Sequence, residues 1–214
     1  MFINTEKKYS PKSLNDFVFP NKDSKDLVLA YASGEIERPL ILHGTSGTGK
    51  SVLQRLIPNA IEKSDAVVNR VKCADIKNAS DIHNLYGRNK HFQRNFKVND
   101  QKFNYFIIGE FLMTNKRLSD ALKIELDDTL GIDMTILSTN RFNEIDDGII
   151  SRCEVLELHA CEPNIFFPHA KQIFVNEGVN IDDNTLMKCL DVTYIVHKDN
   201  RKYYQAIDNI FRSL

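Results

Sequence analysis

The stretch Ile41-Leu42-His43-Gly44-Thr45-Ser46-Gly47-Thr48-Gly49-Lys50-Ser51 fills every fixed position of the phosphate-binding pattern G-x-x-x-x-G-K-[ST]. Glycines let backbone N–H groups curve around a phosphate, because no Cβ blocks the approach. Lys50 brings a positive charge to the β- and γ-phosphates, and the Ser51 hydroxyl is a suitable ligand for Mg²⁺. Val52 lies in the first turn of a predicted helix whose N-terminal dipole favours the same phosphate. A glycine-rich turn that binds nothing is the alternative, and it leaves the complete pattern unexplained.

The bulk properties of the chain restrict the classes of protein to which it can belong. The 214 residues are 42% apolar and 27% charged, and the net charge is −1. Without a global basic field, any contact with nucleic acid must be local. The four cysteines, at positions 73, 153, 161 and 189, include no C-x-x-C pair. Their scatter argues against a zinc site or a disulfide framework and favours a reducing cytosol. No segment approaches the ~18 apolar residues of a membrane span, so no membrane partner is expected.

Short apolar runs alternate with longer amphipathic runs, which indicates an α/β fold with a mostly parallel, five-stranded sheet. Strands are predicted at 40–43, 66–71, 105–108, 134–138 and 155–158. Helices are predicted at 51–59, 80–92, 117–127, 164–176, 183–190 and 202–212, with Asp182 or Asp183 as an N-cap. Pro163 suggests a boundary, which divides the chain into a nucleotide-binding core, 1–160, and a small helical lid domain, 161–214.

Four polar residues further along the chain refine the predicted nucleotide site. Glu110 follows an apolar strand, where such folds place a residue that orients the attacking water. Asn140 follows another buried strand and could donate to the γ-phosphate. Arg152 precedes the last strand, and Arg201 lies at the start of the final helix. Each has a simpler alternative: Asn140 ends a strand, and the two arginines are surface charges.

The order of these motifs resembles that of AAA+ ATPases, and most closely the small subunits of sliding-clamp loaders of the replication-factor-C type, including phage clamp loaders. Residues 8–18, KYSPKSLNDFV, resemble the opening Y-R-P-x-x-L-x-D-h-V segment of that family. Residues 150–153, ISRC, resemble its S-R-C motif, and residues 198–202, KDNRK, resemble its G-D-x-R motif. The resemblance covers nearly the whole chain and implies an AAA+ core followed by a helical lid.

The resemblance also assigns roles to single residues. Tyr9 and Pro11 would pack against adenine, and Lys50 and Ser51 would bind phosphate and Mg²⁺. Glu110 would be the catalytic base, Asn140 the first sensor, Arg152 an arginine finger acting in trans, and Arg201 the second sensor. The implied cofactors are ATP and Mg²⁺. The implied partners are other AAA+ subunits, a sliding clamp and primed DNA, in the cytoplasm or nucleoid, or in the host cytosol for a phage protein.

Three departures from the family pattern bear on function. Ser10 replaces an arginine, and Gly109 replaces the metal-binding aspartate. The sequence ends at Leu214, where clamp-loader subunits continue into a helical collar domain. Losing the carboxylate at position 109 should weaken Mg²⁺ binding. We therefore hypothesise that the protein hydrolyses ATP slowly, or binds ATP without hydrolysing it.

A local basic segment predicts a contact with nucleic acid, and several functions remain open for the whole chain. Arg88, Lys90, Arg94 and Lys97 are interleaved with phenylalanines, which predicts a patch that tracks DNA phosphates; a solvated helix is the alternative. The leading hypothesis for the whole chain is a clamp-loader-like ATPase switch in DNA replication or repair. The alternatives are a non-hydrolysing nucleotide-binding adaptor, or another AAA+ role such as helicase loading or a mobile-element or defence ATPase.

Overall fold

The structure is a computed structural model that describes residues 4–95, 101–128 and 131–213. The chain divides into two compact units. The sheet unit comprises Leu27–Gly44 and Lys50–Glu157, and the helical unit comprises Met1–Asp26, Thr45–Gly49 and Leu158–Leu214. The predicted boundary between a nucleotide-binding core, 1–160, and a helical lid domain, 161–214, remains a prediction.

The sheet unit is built on five strands, as predicted. Strands β1 to β5 are Leu40–His43, Val68–Lys72, Asn104–Gly109, Asp133–Thr139 and Glu154–Glu157. Their order across the sheet is β2-β3-β4-β1-β5, and every pairing among the described residues is parallel. The predicted α/β class and the predicted five-stranded parallel sheet are therefore confirmed.

Nine helices occur in the described residues. They are α1 Thr5–Lys8, α2 Lys22–Ser33, α3 Lys50–Glu62, α4 Ala79–Asn95, α5 Lys116–Asp128, α6 Asp147–Ile150, α7 Pro163–Asn176, α8 Asp183–His197 and α9 Asn200–Ser213. All six predicted helices are present, with different ends. The sequence pattern did not reveal α2, because its first five residues are polar or charged and only Val28 and Tyr31 are fully buried.

Burial explains why the central strands contain apolar runs. All seven residues of β4 are buried, as expected for a central parallel strand covered on both faces. From α4, the Tyr86 hydroxyl forms a 2.9 Å hydrogen bond with Thr135 Oγ1 of β4, and its ring centroid lies 4.4 Å from that of Phe106 on β3. The buried Tyr86 and Thr135 hydroxyls are thus satisfied by each other within the core.

The helical unit has its own aromatic core. Phe166 of α7 stacks on Tyr203 of α9 with ring centroids 4.5 Å apart, and the Tyr203 hydroxyl donates to the Cys161 carbonyl at 2.8 Å. Asp182 caps α8 by accepting from the Thr185 N–H at 2.9 Å, which confirms one of the two predicted caps. The four cysteines are free thiols. Within the described residues, no helix is both long and apolar enough to cross a bilayer.

Helix α8 ends at Lys198, a non-glycine residue whose backbone lies in the left-handed region. Lys198 has φ 45° and ψ 46°, a conformation that glycine adopts without a steric cost. We expect Lys198→Gly to raise the free energy of unfolding by about 1 kcal/mol, or Tm by about 2–4 °C, in thermal melts. Lys188→Gly is the matched control: inside the same helix, the same change should lower stability by about 1 kcal/mol. A lower Tm for Lys198→Gly would contradict the assignment.

Candidate functional site

The carboxyl ends of three neighbouring strands bring Gly44, the first residue of the predicted phosphate loop, to the same edge of the sheet as the predicted acid and amide. This edge, where the parallel strands end, is called the carboxyl edge below. In the parallel register, His43 of β1 pairs with Thr139 of β4, and Leu137 of β4 pairs with Ile108 of β3. Gly44, Glu110 and Asn140 follow these three strands at the same edge. In open parallel sheets this edge is where ligands bind.

Lys50 joins the loop to the first turn of α3. Its side chain is only 9% exposed, and its Nζ donates to the Gly44 carbonyl at 2.8 Å. Ser51 is exposed and Val52 is half-buried, so the first turn of this 13-residue helix presents the Ser51 hydroxyl to solvent. A buried ammonium and a helix N-terminus both favour a bound anion.

Within the helical unit, the loop segment 45–49 has a shape that glycine alone tolerates at two positions. Gly47 and Gly49 have φ values of 78° and 96°. A Cβ added to Gly47 would lie 1.6 Å from Asp199 Oδ1, and one added to Gly49 would lie 2.7 Å from the Phe17 ring. The Thr48 hydroxyl donates to the Thr45 carbonyl at 3.1 Å.

Arg201 contacts the loop through Ser46, and its sensor role stays a prediction. Its Nη2 donates to Ser46 Oγ at 2.8 Å and to Asp199 Oδ2 at 2.9 Å. The Asp199 carboxylate raises the pKa of the guanidinium further. Sequence reasoning missed Asp199 and Phe17 as neighbours of the loop. Asp199 stands in the D-x-R motif, but nothing in the sequence indicates that Phe17 covers Gly49.

Glu110 and Asn140 are exposed at the sheet edge. Glu110 has φ 53°, a left-handed conformation that non-glycine residues adopt mainly where the surroundings enforce it, often at functional sites. Its neighbour Phe111 donates its N–H to the Ser138 carbonyl at 2.7 Å, which ties this turn to β4. Among the described residues, no side chain donates a hydrogen bond to the Glu110 carboxylate, so it is available to a ligand.

Position 109 does not fit a protein-held Mg²⁺. Gly109 supplies no carboxylate, and a Cβ built there meets no atom within 4 Å. A Cβ at position 109 therefore has room. Of the two protein ligands that the resemblance implies, only the Ser51 hydroxyl is present, whereas Mg²⁺ sites ordinarily include at least one carboxylate.

Arg152 lies at the opposite edge of the sheet from the phosphate loop. It precedes β5, whose first residue, Glu154, pairs with Leu40 at the start of β1. Arg152 is held within its own chain: its Nε and Nη2 donate to the two Asp127 carboxylate oxygens at 2.8 and 2.7 Å, and its Nη1 donates to the Gly148 carbonyl at 2.7 Å. The guanidinium lowers the pKa of Asp127. Sequence reasoning did not identify this ion pair.

Tyr9 is fixed by a carboxylate of the helical unit. Its hydroxyl donates to Glu177 Oε1 at 2.6 Å, and Lys8 forms an ion pair with the same carboxylate. Burial, followed by the hydrogen bond to Glu177, raises the pKa of Tyr9 to about 12. Pro11 is half-buried nearby in sequence. Their contact with adenine remains a prediction.

The predicted DNA-contacting residues are only partly placed. Positions 88, 90 and 94 lie on helix α4, but the side chains of Arg88, Lys90 and Arg94 are not described, and Lys97 lies outside the described residues. The basic patch remains a prediction.

The loop geometry generates a prediction with an internal control. We expect Gly47→Ala to weaken ATP binding at least about tenfold, because its Cβ would displace Asp199 and its φ is unfavourable for alanine. Gly87→Ala is the control: no atom lies within 4 Å of its Cβ, and it lies inside helix α4, so it should leave ATP binding unchanged and stabilise the helix. Titration calorimetry and thermal melts measure both effects. Unchanged ATP affinity in Gly47→Ala would contradict the loop assignment.

Comparison with known proteins gives relatives of low identity and high coverage. DNA polymerase III subunit gamma from Buchnera aphidicola is 23% identical over 95% of this chain, and replication factor C subunit 4 from Encephalitozoon cuniculi is 22% identical over 84% of it. The chain spans 60% and 56% of the lengths of these two relatives. No family model matches the chain.

Among solved structures, RuvB from Thermotoga maritima superimposes with a TM-score of 0.61 at 17% sequence identity. The match covers 95% of this chain and 72% of the RuvB chain. At this identity the likeness concerns the fold. The chain therefore has the AAA+ P-loop fold, and in sequence it resembles the small subunits of sliding-clamp loaders.

Proposed function

We propose that this protein is an ATP-binding AAA+ switch that acts in DNA replication or repair as a clamp-loader-like subunit, with slow hydrolysis. The observation that carries the proposal is the placement of Gly44, Lys50, Glu110 and Asn140 at one edge of the sheet. These are the groups needed to hold a triphosphate and to position a water beside it.

Each side chain has a defined task in this proposal. The loop N–H groups and the buried Lys50 ammonium bind the phosphates. The exposed Glu110 carboxylate orients the attacking water, and the Asn140 amide donates to the γ-phosphate or to that water. Arg201, which contacts Ser46 of the loop, shifts from Asp199 and Ser46 to the phosphates when nucleotide binds. Tyr9 and Pro11 border the adenine.

Arg152 is proposed to act on a neighbouring subunit. It precedes β5 at the amino edge of the sheet, and the strand between the two edges spans about 13 Å. Arg152 is therefore on the wrong side of its own sheet to contact its own phosphate loop. In an assembly of related AAA+ subunits it would complete the adjacent site, exchanging the Asp127 carboxylate for a phosphate.

The proposed partners follow from the relatives. A polymerase III gamma subunit and a replication factor C subunit are named as components of replication, so a sliding clamp and primed DNA are the proposed targets. Arg88, Lys90 and Arg94 on α4, with Lys97 after it, are the proposed DNA contacts, because clustered cations bind phosphates independently of sequence.

One observation favours a second candidate function. Gly109 removes the carboxylate expected at the end of β3, while the phosphate loop is intact. A chain of this kind could bind nucleotide without turning it over and serve as a structural adaptor in a larger complex. The two candidates share the ATP site and differ in whether hydrolysis occurs.

ATP turnover with Mg²⁺, with and without primed DNA, distinguishes these candidates. We expect slow, DNA-stimulated turnover in the wild type and at least about tenfold faster turnover in Gly109→Asp, since the restored carboxylate would sit in open space. Gly109→Asn is the matched control, because it has a similar size and no charge, and it should behave as the wild type. Lys50→Ala should abolish binding.

The outcomes separate the hypotheses. No turnover in the wild type, with turnover gained only in Gly109→Asp, supports the adaptor. Wild-type turnover equal to that of Gly109→Asp overturns the slow-hydrolysis proposal. Absence of ATP binding in the wild type overturns both functions.

A further inference from the structure

Gly109, which stands where the resemblance implies an aspartate, has a lysine as its neighbour on the adjoining strand. Lys72 and Gly109 are the last residues of β2 and β3, and they are direct partners in the parallel register. Side chains at registered positions project from the same face of a sheet, and neighbouring strands lie about 4.8 Å apart. The Lys72 side chain therefore lies on the same face of the sheet as a side chain at position 109, on the adjoining strand.

That lysine carries a free charge at the functional edge. Lys72 is exposed, and its ammonium forms no ion pair or hydrogen bond within the described part of the chain. The nearest acids along the two strands are Asp75 and Glu110, and neither is paired with it. A surface lysine without a partner keeps its positive charge available to an anion.

We propose that Lys72 and Gly109 together make this edge of the sheet less negative, so that the site binds ATP without requiring Mg²⁺. The absent carboxylate removes attraction for a divalent cation, and the Lys72 ammonium repels that cation while attracting the triphosphate. The carboxyl ends of β2 and β1 are three strand spacings, about 14 Å, apart. The mechanism needs no direct contact, because the screening length is about 30 Å at an ionic strength of about 0.01 M. This inference rests on the proposed function, since it concerns the same ATP site.

ATP affinity measured by titration calorimetry at low ionic strength, in excess Mg²⁺ and in EDTA, tests the inference. For the wild type we expect the two dissociation constants to agree within about threefold. In Gly109→Asp, the constant in EDTA should be at least about tenfold weaker than in Mg²⁺, because the new carboxylate repels uncompensated phosphates.

The contribution of Lys72 is tested separately. Lys72→Gln should weaken ATP binding in EDTA by about threefold to fivefold, and added salt should remove the difference. Arg70→Gln is the matched control. Arg70 is exposed and lies on the same strand and face, but one pleat, about 7 Å, further from the carboxyl edge. It should change the affinity less than Lys72→Gln does.

Each result decides one point. A wild type that needs Mg²⁺ as strongly as Gly109→Asp does overturns the inference and leaves the proposed function intact. Equal effects of Lys72→Gln and Arg70→Gln overturn the role of Lys72. Loss of ATP binding by the wild type in both buffers overturns the proposed function itself. Thermal melts of all variants confirm that they are folded.

Discussion

The site depends on the backbone of the phosphate loop, which turns through conformations that a Cβ would block. Gly44, Gly47 and Gly49 have φ values of 132°, 78° and 96°. With these angles the loop begins at the end of β1 and returns into α3, and the Lys50 ammonium reaches the Gly44 carbonyl. Asp199 and Phe17 pack so closely on Gly47 and Gly49 that a larger residue has no room. Packing within the chain therefore fixes the shape of the loop, which reduces the ordering cost of binding.

The parallel sheet determines which groups the loop meets. Because β1, β3 and β4 run in one direction, the residues that follow them emerge together, whereas Arg152, which precedes β5, emerges at the other edge. One chain thus presents a phosphate site on one edge and an arginine on the opposite edge. Under the proposed function, such an arrangement suits subunits that complete each other's sites. Within the chain, the Asp127 carboxylate holds Arg152.

Local pattern predicted most of the fold, because the central strands β1, β3 and β4 contain short apolar runs and the phosphate loop fixes the place of β1 and α3. The sequence also indicated that Arg201 belongs with the loop, and its hydrogen bond to Ser46 agrees. Three features were beyond prediction, since they join residues far apart in the chain. The pairing of Lys72 with Gly109 requires the strand register, and the Arg152–Asp127 pair requires α5 to pack beside α6. The contact of Phe17 with Gly49 requires the tertiary packing of the helical unit.

Hydrogen–deuterium exchange of the wild-type chain, with and without ATP, tests most directly the claim that the carboxyl edge of the sheet is the nucleotide site. The account predicts slower amide exchange in the loop 44–51, and in the segments that follow β3 and β4, near Glu110 and Asn140, because bound phosphates order these backbone groups. The segment around Arg152 should be unchanged in the monomer. Protection that is absent from the loop, or that appears only around Arg152, would contradict the account.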